Sequence, residues 1–429
     1  MLLRFGVSNF LSINEYQELS MIATPLKDTP SHLCEVSGFR EKVLPVIGIY
    51  GANASGKTNM LKALRFLING ILYSHQSGRV EGGISRSYFK LNQSCKDKPS
   101  KFDCDFIHNN IRYHFGYLVD NECIVEEWLY AYPHGTRQVW YHRKHDEKEM
   151  YFGKFLKGKN RVLESLTRIN SLYFSVAAQN NNEQLLDLYK YFKDNFIFSF
   201  NNFGPVSRSS EYFLNNDFKD KIISFIQHAD TGISAVKIDE IEVPDTMKGF
   251  TNKLNNLLSE HLGDNKIDIE SAVEKKKISF AHTGINGEDV FLNINSESRG
   301  TIALIKMLGP VFDSLSSGKT IIIDELDTSM HSLLSRKIVS LFNNCSTNQN
   351  CSQLIFTTHD TSILSREVLR RDEIWFTEKK SDGATEIYSL ADIKSRQSDN
   401  FEKGYLQGRY GGIPFLGNID DLFGCGGQE

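Results

Sequence analysis

The stretch Gly51-Ala-Asn-Ala-Ser-Gly-Lys-Thr58 matches the pattern G-x-x-x-x-G-K-[ST], which is typical of a phosphate-binding loop. These residue types suit the task, because glycine lets the backbone curl until successive amide groups point at one centre. A helix that begins just beyond would add the positive end of its dipole. The residues predicted to contact a nucleotide here are Gly51, Asn53, Ala54, Ser55, Gly56, Lys57 and Thr58.

The sequence on either side of the loop supports this interpretation. Residues 43–50 (VLPVIGIY) are apolar and rich in β-branched side chains, which predicts a buried strand. Leucines recur near helical spacing over 61–72, which predicts a helix. Lys57 would then reach the β- and γ-phosphates, and Thr58 would ligate Mg²⁺. The competing interpretation is a glycine-rich turn with an exposed lysine.

Length and composition restrict the class of protein. With 429 residues, 40% of them apolar, the chain exceeds the size of a single core, so two lobes are expected. The formal net charge of −4 argues against a protein that coats nucleic acid over its whole surface, although local basic patches remain open. No long apolar run predicts a membrane span, and the start of the chain lacks the features of a signal peptide.

Cysteine usage predicts a cytoplasmic protein. The seven cysteines are odd in number and contain no C-x-x-C pair, which fits a reducing compartment and gives no zinc-site spacing.

Strand-like and helix-like patterns predict the layout of the chain. Alternating residues predict strands over 2–7 and 16–22, and again over 102–107, 111–117 and 123–130, which together would form an N-terminal β-rich lobe. Three helices are predicted between 182 and 264, around Leu185, Ile222 and Leu258. None keeps a coiled-coil heptad, so this insertion should be compact. The cationic stretch 143–161 also contains acids, which favours a solvated loop over a nucleic-acid surface.

A second set of residues completes the predicted nucleotide site. Thr320-Ile-Ile-Ile-Asp-Glu325 has the form of a buried strand that ends in two carboxylates, or alternatively of a core strand that runs into an acidic turn. We expect Asp324 to hold Mg²⁺ and Glu325 to act as the general base toward the attacking water.

Further residues fit the same site by their order. Ser298-Arg-Gly-Thr301 precedes an amphipathic helix, so Ser298 and the Gly300 amide would face a phosphate, although a plain helix cap would look the same. Asp327 follows the acids and is predicted to contact the nucleotide. A strand over 354–358 ends at His359, which by its place in this order would hydrogen-bond the γ-phosphate and report its loss.

This order of motifs resembles that of ABC-class ATPases of the SMC/RecF/OLD type, as do Arg4-Phe-Gly-Val-Ser-Asn-Phe-Leu-Ser12 and Lys57-Thr-Asn-Met-Leu-Lys62. The resemblance implies an α/β, ABC-type nucleotide-binding fold with an N-terminal β-rich lobe, a mixed sheet core and a compact, mainly helical insertion. It also implies ATP and Mg²⁺ as cofactors, and a homodimer that sandwiches ATP, with Ser298 acting in trans. The expected parts are 1–180 with the phosphate loop, 181–280 as the insertion, 281–400 with the other motifs, and a Gly/aromatic tail over 401–429.

Residues 1–70 and 280–415 look like the stand-alone AAA-family ATPases that are paired with RloB-type nucleases in AbiL-like phage-defence systems. The segments that carry this resemblance are Tyr50–Thr58, Glu297–Thr301, Asp324–Asp327 and Tyr405–Tyr410. Ser329-Met-His-Ser332 departs from the usual family pattern. The resemblance implies an ATPase that controls a separate effector, such as a TOPRIM-type nuclease. A RecF-like ATPase that binds DNA for repair is the alternative, whereas a transporter subunit would have its motifs closer together.

Overall fold

The computed structural model describes residues 1–28, 32–77, 82–200, 212–240, 276–394 and 399–413. These residues divide into two units, which we describe separately. The first unit comprises Met1–Phe198, Leu315–Asp327 and Ser335–Glu429, and the second comprises Ser199–Ser314 and Thr328–Leu334.

The described residues form β-strands and α-helices, which are numbered here in chain order. The strands are β1 (Leu2–Ser8), β2 (Gln17–Ser20), β3 (Val46–Gly51), β4 (Ser100–His108), β5 (Ile111–Val119), β6 (Ile124–Tyr132), β7 (Gln138–Lys144), β8 (Tyr151–Phe152), β9 (Phe196–Ser199), β10 (Ile233–Glu240), β11 (Lys276–Thr283), β12 (Asp289–Asn293), β13 (Thr320–Ile323), β14 (Gln353–Thr357), β15 (Ile374–Lys379) and β16 (Thr385–Ser389). The α-helices are α1 (Lys57–Ser77), α2 (Asn160–Ser165), α3 (Tyr173–Gln179), α4 (Glu183–Asp194), α5 (Asn216–His228), α6 (Arg299–Ser317), α7 (Ser332–Phe342) and α8 (Phe401–Leu406).

A six-stranded mixed sheet forms the centre of the first unit, with the order β16-β15-β3-β14-β13-β9. Strands β13, β14, β3 and β15 run parallel, and β16 pairs antiparallel with β15. Every residue of β3, β13 and β14 is buried, as expected for parallel strands that are covered on both faces. Because these strands are parallel, their carboxyl ends meet at one edge of the sheet, where ligands bind in open α/β folds.

The first unit also contains a seven-stranded antiparallel sheet, β2-β1-β4-β5-β6-β7-β8. Helix α1 packs on both β3 and β4, so it links the two sheets. Its Phe66 stacks on Phe102 of β4 with ring centroids 4.8 Å apart, and Phe10 packs against the same pair. The phosphate-loop helix is therefore anchored by aromatic packing at the lobe that the sequence predicts to be β-rich.

The second unit contains a three-stranded antiparallel sheet, β10-β11-β12, beside α5. Phe213 packs on Phe280 of β11, and Phe225 of α5 packs on Phe312 of α6. The sequence analysis predicted helices in this part of the chain but not the sheet. The predicted helix around Leu258 lies outside the described residues.

The α/β fold class is confirmed, with its β-rich N-terminal lobe and mixed central sheet. The strands predicted near 2–7, 16–22, 102–107, 111–117 and 123–130 are β1, β2, β4, β5 and β6. The second unit starts at Ser199, whereas the insertion was expected over 181–280. The division into four functional parts remains a prediction. Within the described residues, no helix has the length and apolar character that a membrane crossing requires.

Candidate nucleotide site

The loop between β3 and α1 has the curled backbone that its glycines permit. Gly51 and Gly56 have φ angles of +153° and +110°, and Ala54 lies in the left-handed region at +62°. A Cβ atom at Gly51 would collide with Thr377, and one at Gly56 would collide with Thr385. Both glycines are therefore required by close packing against β15 and β16 as well as by their backbone conformation. Asn53 lies at the exposed tip of the loop.

Lys57 and Thr58 point their polar atoms back into this loop and across to β13. The Lys57 ammonium donates to the carbonyl oxygens of Gly51 and Ala52, at 2.7 and 3.2 Å. The Thr58 hydroxyl donates to Asp324 Oδ1 at 3.0 Å. The fold thus brings the phosphate loop and the first of the two predicted acids into direct contact, although they are far apart in the sequence.

The two carboxylates at the end of β13 have different surroundings. Asp324 is buried and also accepts from the Thr357 hydroxyl of β14 at 2.7 Å. The same hydroxyl accepts from the Glu325 amide at 2.7 Å. Glu325 has a φ of +55°, and its side chain is exposed at the edge of the sheet. Asp324 is thus fixed beside Thr58, whereas Glu325 faces the solvent side, where a water molecule could be activated.

Asp327 and His359 meet at the end of β14. Asp327 accepts a hydrogen bond from the Thr358 hydroxyl at 2.6 Å and another from the His359 amide at 3.3 Å. Partial burial, followed by the positive charge of Lys57, lowers the pKa of His359, and the acids at 324, 325 and 327 oppose this shift. Burial likewise lowers the pKa of Lys57, against the same three acids. Lys57, His359 and the three acids therefore lie close enough to interact electrostatically.

Ser298 and Gly300 lie in the second unit, at the start of α6. The Ser298 hydroxyl accepts a hydrogen bond from the Thr301 amide at 3.1 Å. Ser298 therefore caps the helix, which was the alternative interpretation of this sequence. A Cβ atom at Gly300 would lie 2.7 Å from the Ser329 carbonyl oxygen, which explains the glycine by packing. A role of either residue at a phosphate remains a prediction.

A network of hydroxyl groups, which no sequence pattern predicted, joins the phosphate loop to β15, β16 and the turn after β1. The Thr385 hydroxyl donates to the Ser55 carbonyl at 2.7 Å and lies 2.7 Å from Ser12 Oγ. Ser12 Oγ in turn accepts from the Asn59 side chain at 2.7 Å, and Ser55 Oγ lies 2.6 Å from Thr377 Oγ1. Serine and threonine carry no local sequence signal for such contacts, so only the fold reveals the network.

The C-terminal segment over 401–413 also reaches the loop. The Tyr405 ring stacks on Phe376 of β15 at 5.4 Å, and its hydroxyl donates to the Gly412 carbonyl at 3.1 Å. A Cβ atom at Gly412 would lie 3.6 Å from Gly51 Cα. This part of the predicted tail is therefore a strap on the mixed sheet that ends at the phosphate loop; residues 414–429 lie outside the described residues.

The residues present fit a magnesium-bound nucleotide. Thr58 and Asp324 offer hydroxyl and carboxylate oxygens, which are the hard donors that Mg²⁺ prefers. The loop adds backbone amides at a helix N-terminus and the Lys57 ammonium, which suit phosphate.

Among the comparisons with known proteins, the family model identifies the family of the chain. No curated protein matches the chain significantly. Among solved structures, the crystal structure of the SmcHead bound to the C-winged helix domain of ScpA matches over 90% of this chain and 97% of that chain. The TM-score is 0.38 and the sequence identity 13%. A family model described as "AAA domain, putative AbiEii toxin, Type IV TA system" matches residues 46–365, most of the chain. The chain therefore belongs to this family of AAA-type ATPases.

Proposed function

We propose that this ATPase hydrolyses ATP with Mg²⁺, dimerises around the nucleotide and thereby controls a separate effector protein in anti-phage defence. The observation that carries the enzymatic part is the 3.0 Å hydrogen bond between Thr58 and Asp324. It joins the two half-sites that phosphoryl transfer needs, one for the phosphates and one for the metal.

The candidate site residues of the first unit have distinct roles in the proposed reaction. The loop amides and Lys57 would hold the phosphates. Thr58 and Asp324 would hold the metal, which would supply positive charge beside the γ-phosphate. Glu325 orients the attacking water and accepts its proton. His359, whose amide is bonded to Asp327, responds to the presence of the γ-phosphate.

Dimerisation would complete the site. Ser298 and Gly300, at the N-terminus of α6, would contact the γ-phosphate held by the partner, because a helix N-terminus attracts anions. ATP would then stabilise the dimer by binding only to its closed form, and hydrolysis would release it.

The defence role is supported by the family description, which refers to a putative toxin of a type IV toxin–antitoxin system. This description favours a defence role over the RecF-like repair ATPase, and the separate protein effector, such as a nuclease, follows from the sequence resemblance. The two hypotheses differ in a measurable way: ATP turnover that duplex DNA strongly stimulates, with steep salt dependence, would support the repair role. Stable co-purification with a nuclease encoded beside this chain would support the defence role.

The first test is Glu325→Gln, which keeps the shape of the side chain but removes the base. We expect turnover to fall by about 10²-fold or more, because general-base catalysis contributes on that order. ATP binding should persist, and the variant should accumulate as an ATP-bound dimer in light scattering. Glu147→Gln is the matched control, because Glu147 is a surface acid that pairs with Lys144 at the end of β7. This variant should behave as wild type. Equal turnover in the Glu325→Gln variant and the wild type would remove Glu325 from this role.

A further inference from the structure

Three side chains with metal-binding donors cluster in the first unit at a place that the nucleotide site does not use. His32, Cys34 and Cys351 each offer one ligand atom, and these atoms all lie within 4.8 Å of one another. Cys34 is buried, and the other two residues are half-buried. In a tetrahedral zinc site with these donors, ligand atoms are separated by about 3.3–3.8 Å, so binding requires only a small inward movement.

The backbone holds the two cysteines in place from separate parts of the chain. Cys34 exchanges two hydrogen bonds of 2.9 Å with Val43. Cys351 lies in the left-handed region, with a φ of +54°, immediately before Ser352. Asn348 Oδ1 accepts from the Ser352 amide at 2.7 Å, and Asn348 Nδ2 donates to the Ser352 carbonyl at 2.9 Å. Both thiols therefore sit on backbone segments that are fixed by hydrogen bonds.

His32 supplies a second, independent indication of a ligand. Its Nε2 atom is buried and has no hydrogen-bond partner among the described residues. Buried polar atoms are almost always satisfied, so an unsatisfied nitrogen on a member of this cluster indicates a partner of another kind, such as a metal ion. A cavity of 490 Å³ borders His32.

The donor set selects the type of ion. Thiolate sulfur and imidazole nitrogen favour zinc over magnesium or calcium, and two cysteines with one histidine leave a fourth position for water. The sulfur and nitrogen donors of this cluster thus differ from the oxygen donors of Thr58 and Asp324, which suit Mg²⁺.

We propose that His32, Cys34 and Cys351 bind one zinc ion, which joins the segment before β3 to the start of β14. The ion would fix the amino end of β14, whose carboxyl end contributes Thr357 to the nucleotide site. The separation of Cys34 and Cys351 in the sequence explains why cysteine spacing gave no sign of it.

The test measures zinc on the purified full-length chain, by elemental analysis after dialysis against Zn²⁺ alone. We expect about one zinc per chain, and Co²⁺ in its place should show the absorption of tetrahedral thiolate coordination. Cys34→Ser and Cys351→Ser should each weaken zinc binding by more than about 100-fold, because a direct ligand matters more than its outer shell. His32→Ala should lower affinity in the same direction and covers the case in which a cysteine variant fails to fold.

Cys345→Ser is the matched control, since this exposed cysteine lies in the loop that leads to the same strand but outside the cluster. It should bind zinc as wild type does. Wild-type protein that takes up no zinc, zinc binding that survives loss of Cys34 and Cys351, or loss of zinc in the Cys345→Ser variant would each overturn the proposal. A Cys34–Cys351 disulfide in the protein purified under reducing conditions would do so as well.

Discussion

Single hydroxyl groups decide how the phosphate loop is held. Thr385 is only 3% exposed and bonds to both Ser55 and Ser12, so it connects the loop to the turn after β1. Removing a buried hydroxyl leaves its partners without a hydrogen bond, which typically costs about 1–3 kcal/mol. Such a residue acts on the nucleotide through the position of the loop, without touching the nucleotide itself.

Thr385→Val tests this role, because valine keeps the shape of threonine and loses the hydroxyl. We expect the free energy of unfolding to fall by about 1–3 kcal/mol and ATP affinity to fall roughly tenfold. Thr320→Val is the matched control: Thr320 is equally buried but bonds to Gln353 at 3.1 Å, at the amino end of β13. It should lose similar stability and keep its ATP affinity in calorimetry. The same ATP affinity in both variants would contradict the positioning role.

At the residue scale, sequence patterns predicted what has a local signature. The phosphate loop, the acids after β13 and His359 each stand next to a buried apolar strand, so their types and context identify them together. The Ser12–Thr385 bond and the His32 cluster join residues that are hundreds of positions apart. No local pattern reports such pairs, because they depend on which strands become neighbours.

The strap over 401–413 is the element that most changes the interpretation of the chain. The sequence left open whether this glycine-rich and aromatic stretch docks a partner or covers the core. Its described part covers β15 through Tyr405 and Tyr410, whose rings lie 5.4 and 6.0 Å from Phe376. Gly412, with a φ of +67°, then lies against Gly51. A change in the strap should therefore affect nucleotide binding.

Gly412→Ala tests this coupling. An added methyl group is strained at positive φ, and relief of this strain would shift a methyl that lies 3.6 Å from Gly51 Cα and 3.4 Å from the Thr377 carbonyl oxygen. Gly135→Ala is the matched control, because its φ of +78° causes the same strain while nothing lies within 4 Å of its Cβ position. Both variants should lose about 1 kcal/mol of stability, but only Gly412→Ala should weaken ATP binding, as measured with a fluorescent nucleotide. Unchanged affinity in Gly412→Ala would separate the strap from the site.

Elements were predictable where burial leaves a pattern in the sequence, either a continuous apolar run or a regular alternation. Strands β3, β13 and β14 are buried throughout and read as continuous apolar runs. Strand β12 is exposed along most of its length, so its residues show no contrast between faces, and the sheet of the second unit escaped prediction. Strand β7 was also not predicted, because its cationic end was interpreted as part of a charged loop.

In the proposed dimer of two identical chains, each nucleotide site would combine residues of both copies. The phosphate loop and the acids belong to the first unit, and Ser298 belongs to the second. The proposed dimer requires Ser298 to act on the nucleotide of the partner, and a twofold axis would create two equivalent sites.

Mixing two inactive variants tests this arrangement. Lys57→Ala removes phosphate binding, and Ser298→Glu repels phosphate while an acid remains favourable at the helix N-terminus. Each alone should be inactive. In a random mixture, half of the dimers carry both variants and each has one intact composite site, so up to about a quarter of wild-type turnover should return. No recovery, with mixed dimers verified by two affinity tags, would place Ser298 in the same subunit as its nucleotide or outside the site.

The order of strands in the mixed sheet has a consequence for synthesis of the chain. Strand β3 pairs only with β14 and β15, both of which follow it by roughly 300 residues. A ribosome that adds about 5–20 residues per second needs tens of seconds to reach them. During that time an apolar strand with two open edges must be kept from aggregating. Nascent chains that stop before Gln353 should therefore depend on chaperones, and nucleotide binding can begin only after β14 has emerged.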